Sequence, residues 1–257
     1  MVHRFIERLG ARQRWVRQTP TRPRLFFDAG PQVIYAIGDI HGRYDLLARM
    51  EREIEDDAAR FPGHKWIVLL GDYVDRGPAS AQVLDHLLRP PPARFSRYCL
   101  AGNHEQLMLS YLAEPDPHNA WLGLGGHETL RSYGIEKILG RRSMLPVLAS
   151  RIPAEHVRFL QTAPVLLSIP GYVFVHAGLR PGVPLSKQSD HDMLRIRPKD
   201  ELLPPSTEFL TIHGHTPVAE VRAQSGRINI DTGAFATGIL SCVRIQQNGR
   251  ISRLAVR

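Results

Sequence analysis

The 257 residues contain only two cysteines, Cys99 and Cys242, too few for a disulfide framework. Both sit in apolar, strand-like runs (SRYCLAG and LSCVRIQ), which reads as two buried thiols in a reducing compartment. Long apolar runs are missing too: aliphatic stretches such as Ile67–Leu70 fall far short of the roughly 20 residues that cross a bilayer. These absences predict a soluble, cytoplasmic chain without a transmembrane segment. The first 24 residues hold no lysine and no serine, the first serine being Ser80, and no apolar core of signal-peptide length, which argues against a secretory or transit signal. Several chemistries are excluded by what their motifs would need. LGLGG at 122–126 lacks the following Lys-Ser or Lys-Thr of a phosphate-cradling loop, and neither cysteine has an arginine six positions on, as a thiol-based tyrosine phosphatase requires. No GxSxG occurs, and HETLR and HEQLM lack the second histidine of a zinc-protease helix.

What is present suits a folded enzyme. A hydrophobic share of 43% supplies a sizeable core. The formal charge is +8, but seven arginines and one glutamate put +6 of it in residues 1–24 and leave +2 for the rest. Any contact with a polyanion or an anionic membrane surface is therefore expected through residues 1–24. The expected organisation is a basic N-terminal extension at 1–30 and one domain at 31–257 carrying a helical insertion at about 114–163.

The first half alternates strands and helices. VIYAI (33–37), WIVLL (66–70) and RYCLA (97–101) read as buried strands, each followed by glycine, with helices predicted over 43–60, 79–88 and 105–112. This βαβαβα order predicts a parallel sheet with right-handed crossovers. From 165 onward VLLSI, YVFVH, FLTIH, VAEVRA, RINID and ILSCVRI read as further strands. The predicted fold class is α/β, two packed sheets with helices outside.

Metal-capable side chains follow the strands with one grammar: GDIHG (38–42), GDYVDRG (71–77), GNHE (102–105), HAG (176–178) and HGHT (213–216). Asp39, Asp72 and Asn103 are 33 and 31 residues apart, about one βαβ unit each, so each can arrive on an adjacent strand end. Carboxyl ends of strands in an open α/β sheet share one edge, where ligands bind. Carboxylate, imidazole and amide oxygen from five strand ends could surround two divalent cations. A lone Asp or His at a strand end is usually a cap or turn residue, but independent caps have no reason to repeat one pattern five times. His41, His104, His176 and His215 belong to these motifs. The other histidines read as surface or packing residues, with His213 and His127 nearest to exceptions.

Together GDIHG, GDYVDRG, GNHE, HAG and GHT resemble the phosphoprotein phosphatase family of calcineurin-like metallophosphoesterases, over about residues 33–240, and look like its bacterial branch. The resemblance implies an αββα sandwich of two mixed β-sheets flanked by helices. It implies that Asp39 and His41 bind a first metal, Asp72 bridges, and Asn103, His176 and His215 bind a second, the pair being manganese, with iron or zinc as alternatives. His104 takes the place of the family's general acid, oriented by Asp75, and Arg76 that of its phosphate-binding arginine. DMLRIRPKDEL (192–202) resembles a bacterial motif that assigns a second phosphate contact to Arg197, although Arg195 stands where that motif has tryptophan. Ala101 stands where many relatives carry arginine.

The activity this implies is removal of phosphate from phosphoproteins, phosphoserine and phosphothreonine first and phosphotyrosine next, by direct attack of a metal-bridging hydroxide. Small phosphoesters are the other substrate class. The alternative is diadenosine tetraphosphate hydrolysis; those relatives often replace the aspartate of VDRG, which is present here as Asp75. A non-catalytic polyanion-binding module is the reading from another class, and the complete ligand set argues against it.

Overall fold

The structure is a computed structural model describing residues 21–197, 208–224 and 226–257. In chain order the first half holds β1 (Arg24–Phe26), β2 (Val33–Ile37), α1 (Tyr44–Ala58), β3 (Lys65–Leu69), α2 (Ser80–Leu88), β4 (Phe95–Cys99) and α3 (Asn103–Ala113). A π-helical turn (Leu122–Gly126) then leads into α4 (His127–Ser132), α5 (Arg141–Arg151) and α6 (Ala154–Thr162). The second half adds β5 (Leu166–Ile169), β6 (Tyr172–Val175), α7 (Asp190–Arg195), β7 (Leu210–His213), β8 (Arg222–Gln224), β9 (Arg227–Asn229), α8 (Ala234–Thr237), β10 (Leu240–Gln246) and β11 (Ile251–Val256).

One sheet has the order β11-β10-β2-β3-β4 and the other β1-β5-β6-β7-β9-β8. The β2, β3 and β4 strands are parallel, as the βαβαβα pattern predicts, while β10 joins β2 antiparallel and makes the sheet mixed. The second sheet is mixed as well, with β6, β7 and β9 parallel and β5 antiparallel to β6.

The layering follows from the two-residue period of a strand. In β2, Val33, Tyr35 and Ile37 pack toward α1, against Leu46, Leu47, Met50 and Ile54, while Ile34 and Ala36 join Phe174, Ile212 and Val243 between the sheets. A third apolar group, including Val173, Val175, Met193 and Leu194, covers the outer face of the second sheet. Because both faces of β2 and β3 are covered, their sequences read as unbroken apolar runs instead of alternating ones. The result is the expected αββα sandwich.

Three details depart from the sequence reading. Residues 24–26, inside the stretch expected as an extension, form an edge strand paired parallel with β5. Arg22 is buried there and donates to the carbonyls of Leu160 (2.7 Å) and Ala163 (3.1 Å), and its backbone N–H donates to Asp190 (2.7 Å). The third strand ends at Cys99 because the N–H of Ala101 turns away from the ladder to the carbonyl of Pro164 (2.7 Å). VAEVRA contributes only Arg222 and Ala223 to a strand. Residues 1–20, which hold five of the leader's seven arginines, lie outside the described residues.

Candidate metal centre

The parallel strands β2, β3, β4, β6 and β7 deliver their following loops to one edge of the sandwich. Backbone bonds tie these loops together: the N–H groups of Ile40 and His41 both donate to the carbonyl of Asp72 (3.1 and 2.8 Å). Among the described residues six non-glycine residues have positive φ, and five of them are His41 (47°), Asp72 (52°), Asp75 (74°), Arg76 (68°) and His215 (71°). Side chains with a Cβ adopt this left-handed region at a cost of about 1–3 kcal/mol each, so its concentration here marks a backbone bent to aim side chains. Gly71, at φ 101°, lies where a Cβ would come within 2.5 Å of the backbone nitrogen of Gly102, so only glycine lets the β3 and β4 loops meet.

Asp72 is the hub. Its Oδ2 is 3.5 Å from His41 Nε2 and 3.9 Å from His104 Nε2, and its Oδ1 is 3.4 Å from His176 Nε2. Two groups of donor atoms, His41–Asp72–His104 and Asp72–His176–His215, each lie within 4.8 Å of one another and share Asp72. Asn103 Oδ1 sits 2.9 Å from His176 Nε2, which places the amide oxygen at the second group. Asp39 is buried at the same edge and accepts the backbone N–H of His215 at 3.1 Å. His104 is the third donor within reach in the first group, and Asp39 lies buried near enough for the Asp72 charge to act on it.

The tautomers suit cation binding. His41 Nδ1 lies 2.8 Å from the carbonyl of Val74 and His176 Nδ1 2.9 Å from that of Leu70. A carbonyl only accepts, so Nδ1 carries the proton and Nε2 turns its lone pair toward Asp72. Burial lowers His41 and His215 to about 3, which keeps both imidazoles neutral. Burial also pushes the Asp39 carboxyl well above its usual range, assisted by Asp231 and Asp72. Buried acids crowded among neutral imidazoles are what a pair of dications would relieve, so the residues fit two divalent cations.

Beside this cluster His104 Nδ1 is 2.6 Å from Asp75 Oδ2, and its Nε2 is 3.3 Å from Arg76 Nη2. Burial lowers the His104 pKa, but Asp72 and Asp75 more than offset this and raise it. The Arg76 guanidinium lies over the Phe235 ring at 4.5 Å, and the same ring meets His41 edge-on at 5.4 Å. Arg197 is exposed at the end of the described stretch 21–197, and its charge acts on His215. Arg195 donates to Gln106 Oε1 (3.1 Å), and its charge acts on His176. The structure therefore brings all ten predicted residues to one edge, with Arg197 at the rim.

Several supporting residues carried no role in the sequence reading. Glu105, the last residue of GNHE, accepts the N–H groups of Gly102 (2.7 Å), Asp72 (2.8 Å) and Tyr73 (2.8 Å), and so fixes the turn that presents Asp72. Its position three residues after Gly102 is the spacing of a capping box, the one signal that could have found it. Asp231, Phe235, Trp121 and Thr129 left no such signal, because their neighbours are distant in sequence.

Fold and site define a metal-dependent phosphoesterase class, and comparison with known proteins names it. The calcineurin-like phosphoesterase family matches residues 33–239, and the chain belongs to that family. The asymmetrical bis(5'-nucleosyl)-tetraphosphatase PrpE of Halalkalibacterium halodurans is 24% identical over 236 residues, covering 82% of this chain and 89% of the relative. The symmetrical bis(5'-nucleosyl)-tetraphosphatase of Aromatoleum aromaticum is 33% identical over 152 residues, covering 58% of this chain and 45% of that protein. Among solved structures, "a putative diadenosine tetraphosphatase" matches with a TM-score of 0.65 at 19% identity, covering 93% of this chain and 99% of the other. The cold-active protein-tyrosine phosphatase of a Shewanella species matches at 0.53 and 17%, covering 90% and 83%. These structures share the fold. The superfamily expected from the motifs is thus established, whereas the curated relatives carry tetraphosphatase names and do not support the narrower protein-phosphatase branch.

Proposed function

We propose that the chain is a hydrolase of dinucleoside polyphosphates such as diadenosine tetraphosphate, using two divalent cations, manganese first and iron or zinc as alternatives. The observation that carries the chemistry is Asp72 shared between two donor groups, and the near full-length similarity to tetraphosphatases supports the substrate. Asp39, His41 and Asp72 would hold one cation, and Asp72, Asn103, His176 and His215 the other. When bound, such a pair supplies Lewis-acid polarisation of phosphoryl oxygens and a water acidified toward neutrality. Arg76, held against Phe235, grips non-bridging oxygens by charge-assisted forks, and Arg197 does so from the rim. His104 Nε2 delivers a proton to the leaving oxygen, while Asp75 holds Nδ1–H.

That last pair favours a second reading. A leaving nucleotide phosphate is a weak base and gains little from an acid, whereas the alkoxide of serine or threonine needs one. The 2.6 Å contact between His104 and Asp75 therefore supports phosphoserine and phosphothreonine in proteins as the other substrate class. The test is a side-by-side assay of the manganese-loaded enzyme on diadenosine tetraphosphate and on phosphoserine, phosphothreonine and phosphotyrosine peptides. The proposal expects kcat/KM to be highest for the dinucleotide, and a preference for a phosphopeptide overturns it. A cytoplasmic setting suits the two free thiols.

A further inference from the structure

The LGLGG run has no phosphate-loop chemistry, yet it lies directly against Asp75 and Arg76. Gly125, at φ 116°, leaves no room for a Cβ against the backbone nitrogen of Arg76, and a Cβ on Gly126 would meet the Trp121 ring at 2.6 Å. The two glycines let the segment close over the GDYVDRG turn, with the indole of Trp121 beneath it. Trp121 Nε1–H donates to Asp75 Oδ2 at 2.7 Å, the same oxygen that faces His104. Eight residues on, Thr129 donates from Oγ1 to Asp75 Oδ1 at 2.7 Å and accepts the Asp75 backbone N–H at 2.8 Å. Asp75, Trp121 and Thr129 are all fully buried, and Tyr111 packs on the indole with ring centroids 4.8 Å apart.

We propose that residues 121–129 form a clamp in which Trp121 and Thr129 are positioning residues, fixing the Asp75 carboxylate so that it orients the His104 imidazole for proton delivery. The inference rests on the general-acid role of His104 given above. Its physical basis is geometric: a carboxylate held only by the imidazole could rotate about its χ angles, whereas donors on both oxygens leave one orientation. An ordinary explanation is that a buried carboxylate collects whatever donors surround it. The two differ in what loss of one donor does to the leaving group.

The test compares Trp121→Phe, Thr129→Val and Thr129→Ser with His104→Asn, measuring kcat/KM for an alkyl phosphate and for p-nitrophenyl phosphate. A second measurement follows the low-field Nδ1–H proton of His104 in the zinc-loaded enzyme, identified by its loss in His104→Asn. General acids contribute roughly 10²–10⁴-fold, and a misaimed one should forfeit part of that, so Trp121→Phe is expected to lose about tenfold on the alkyl ester and under threefold on the activated one. Thr129→Val should behave alike and Thr129→Ser should restore both rates, while Trp121→Phe and Thr129→Val shift or broaden the resonance. An unmoved resonance, or an equal loss on both esters with the resonance in place, overturns the clamp. If His104→Asn itself slows both esters alike, the general-acid role fails, and the resonance still decides whether the clamp holds the imidazole.

Discussion

His104 turns one ring nitrogen to Asp75 and the other toward Asp72 and Arg76, and this division sets what its loss should do. Asparagine in its place keeps some hydrogen bonding but has no proton to give. His104→Asn is therefore expected to slow alkyl phosphate hydrolysis by roughly 10²-fold or more while p-nitrophenyl phosphate loses less than tenfold. Steady-state kinetics on the two esters measures this, and equal slowing would reject the acid. At this scale the sequence was informative wherever a motif was local. Asp39, Asp72 and Asn103 could be placed because each follows a strand and a glycine. Trp121, Thr129 and Phe235 could not, because their roles depend on Asp75, Arg76 and His41, tens or hundreds of residues away, and no period or spacing encodes such a contact.

Among the elements, the glycine that closes each strand is what permits the loops to converge. Gly71 combines φ 101° with the close approach of Gly102, whereas Gly249 has φ 82° and open space around it. Gly71→Ala should thus cost at least about 2 kcal/mol through backbone strain and overpacking, lowering Tm by about 5 °C or more along with activity. Gly249→Ala should cost only its strain and leave kcat/KM alone, and equal effects of the two in thermal melts and assays would contradict this account. The helices are pinned by charge as well as by apolar contact. Glu51 on α1 accepts from Arg97 on β4 (2.8 Å) and pairs with His86 on α2 (2.6 Å). Burial alone would raise its pKa, but His86 and Arg97 bring it below the usual 4.5. A carboxyl depressed in the folded state stabilises above its unfolded pKa, and that contribution is lost as pH falls. The Tm gap between wild type and Glu51→Gln should therefore narrow below about pH 4.5, and a gap that is constant with pH would contradict the assignment. The three-residue strand β1 was illegible because its RLF segment sits in an arginine- and proline-rich stretch. Its pairing depends on β5, and on Asp190 holding Arg24 at 2.9 Å.

For the molecule as a whole, the two sheets give an edge to which five strand ends bring ligands, with apolar layers between the sheets and under both helical faces. The alternation of strand and helix in the first half made the parallel sheet readable. The mixed second sheet was foreseeable only as a set of strands, since its order depends on pairings that short, evenly apolar segments do not specify. The central claim is that Asp72 joins two cation sites on this edge. Anomalous diffraction from manganese-soaked crystals tests it most directly. Two peaks are predicted, both within ligand distance of Asp72, one flanked by Asp39 and His41 and the other by Asn103, His176 and His215. A single peak, or manganese bound away from Asp72, would contradict the account.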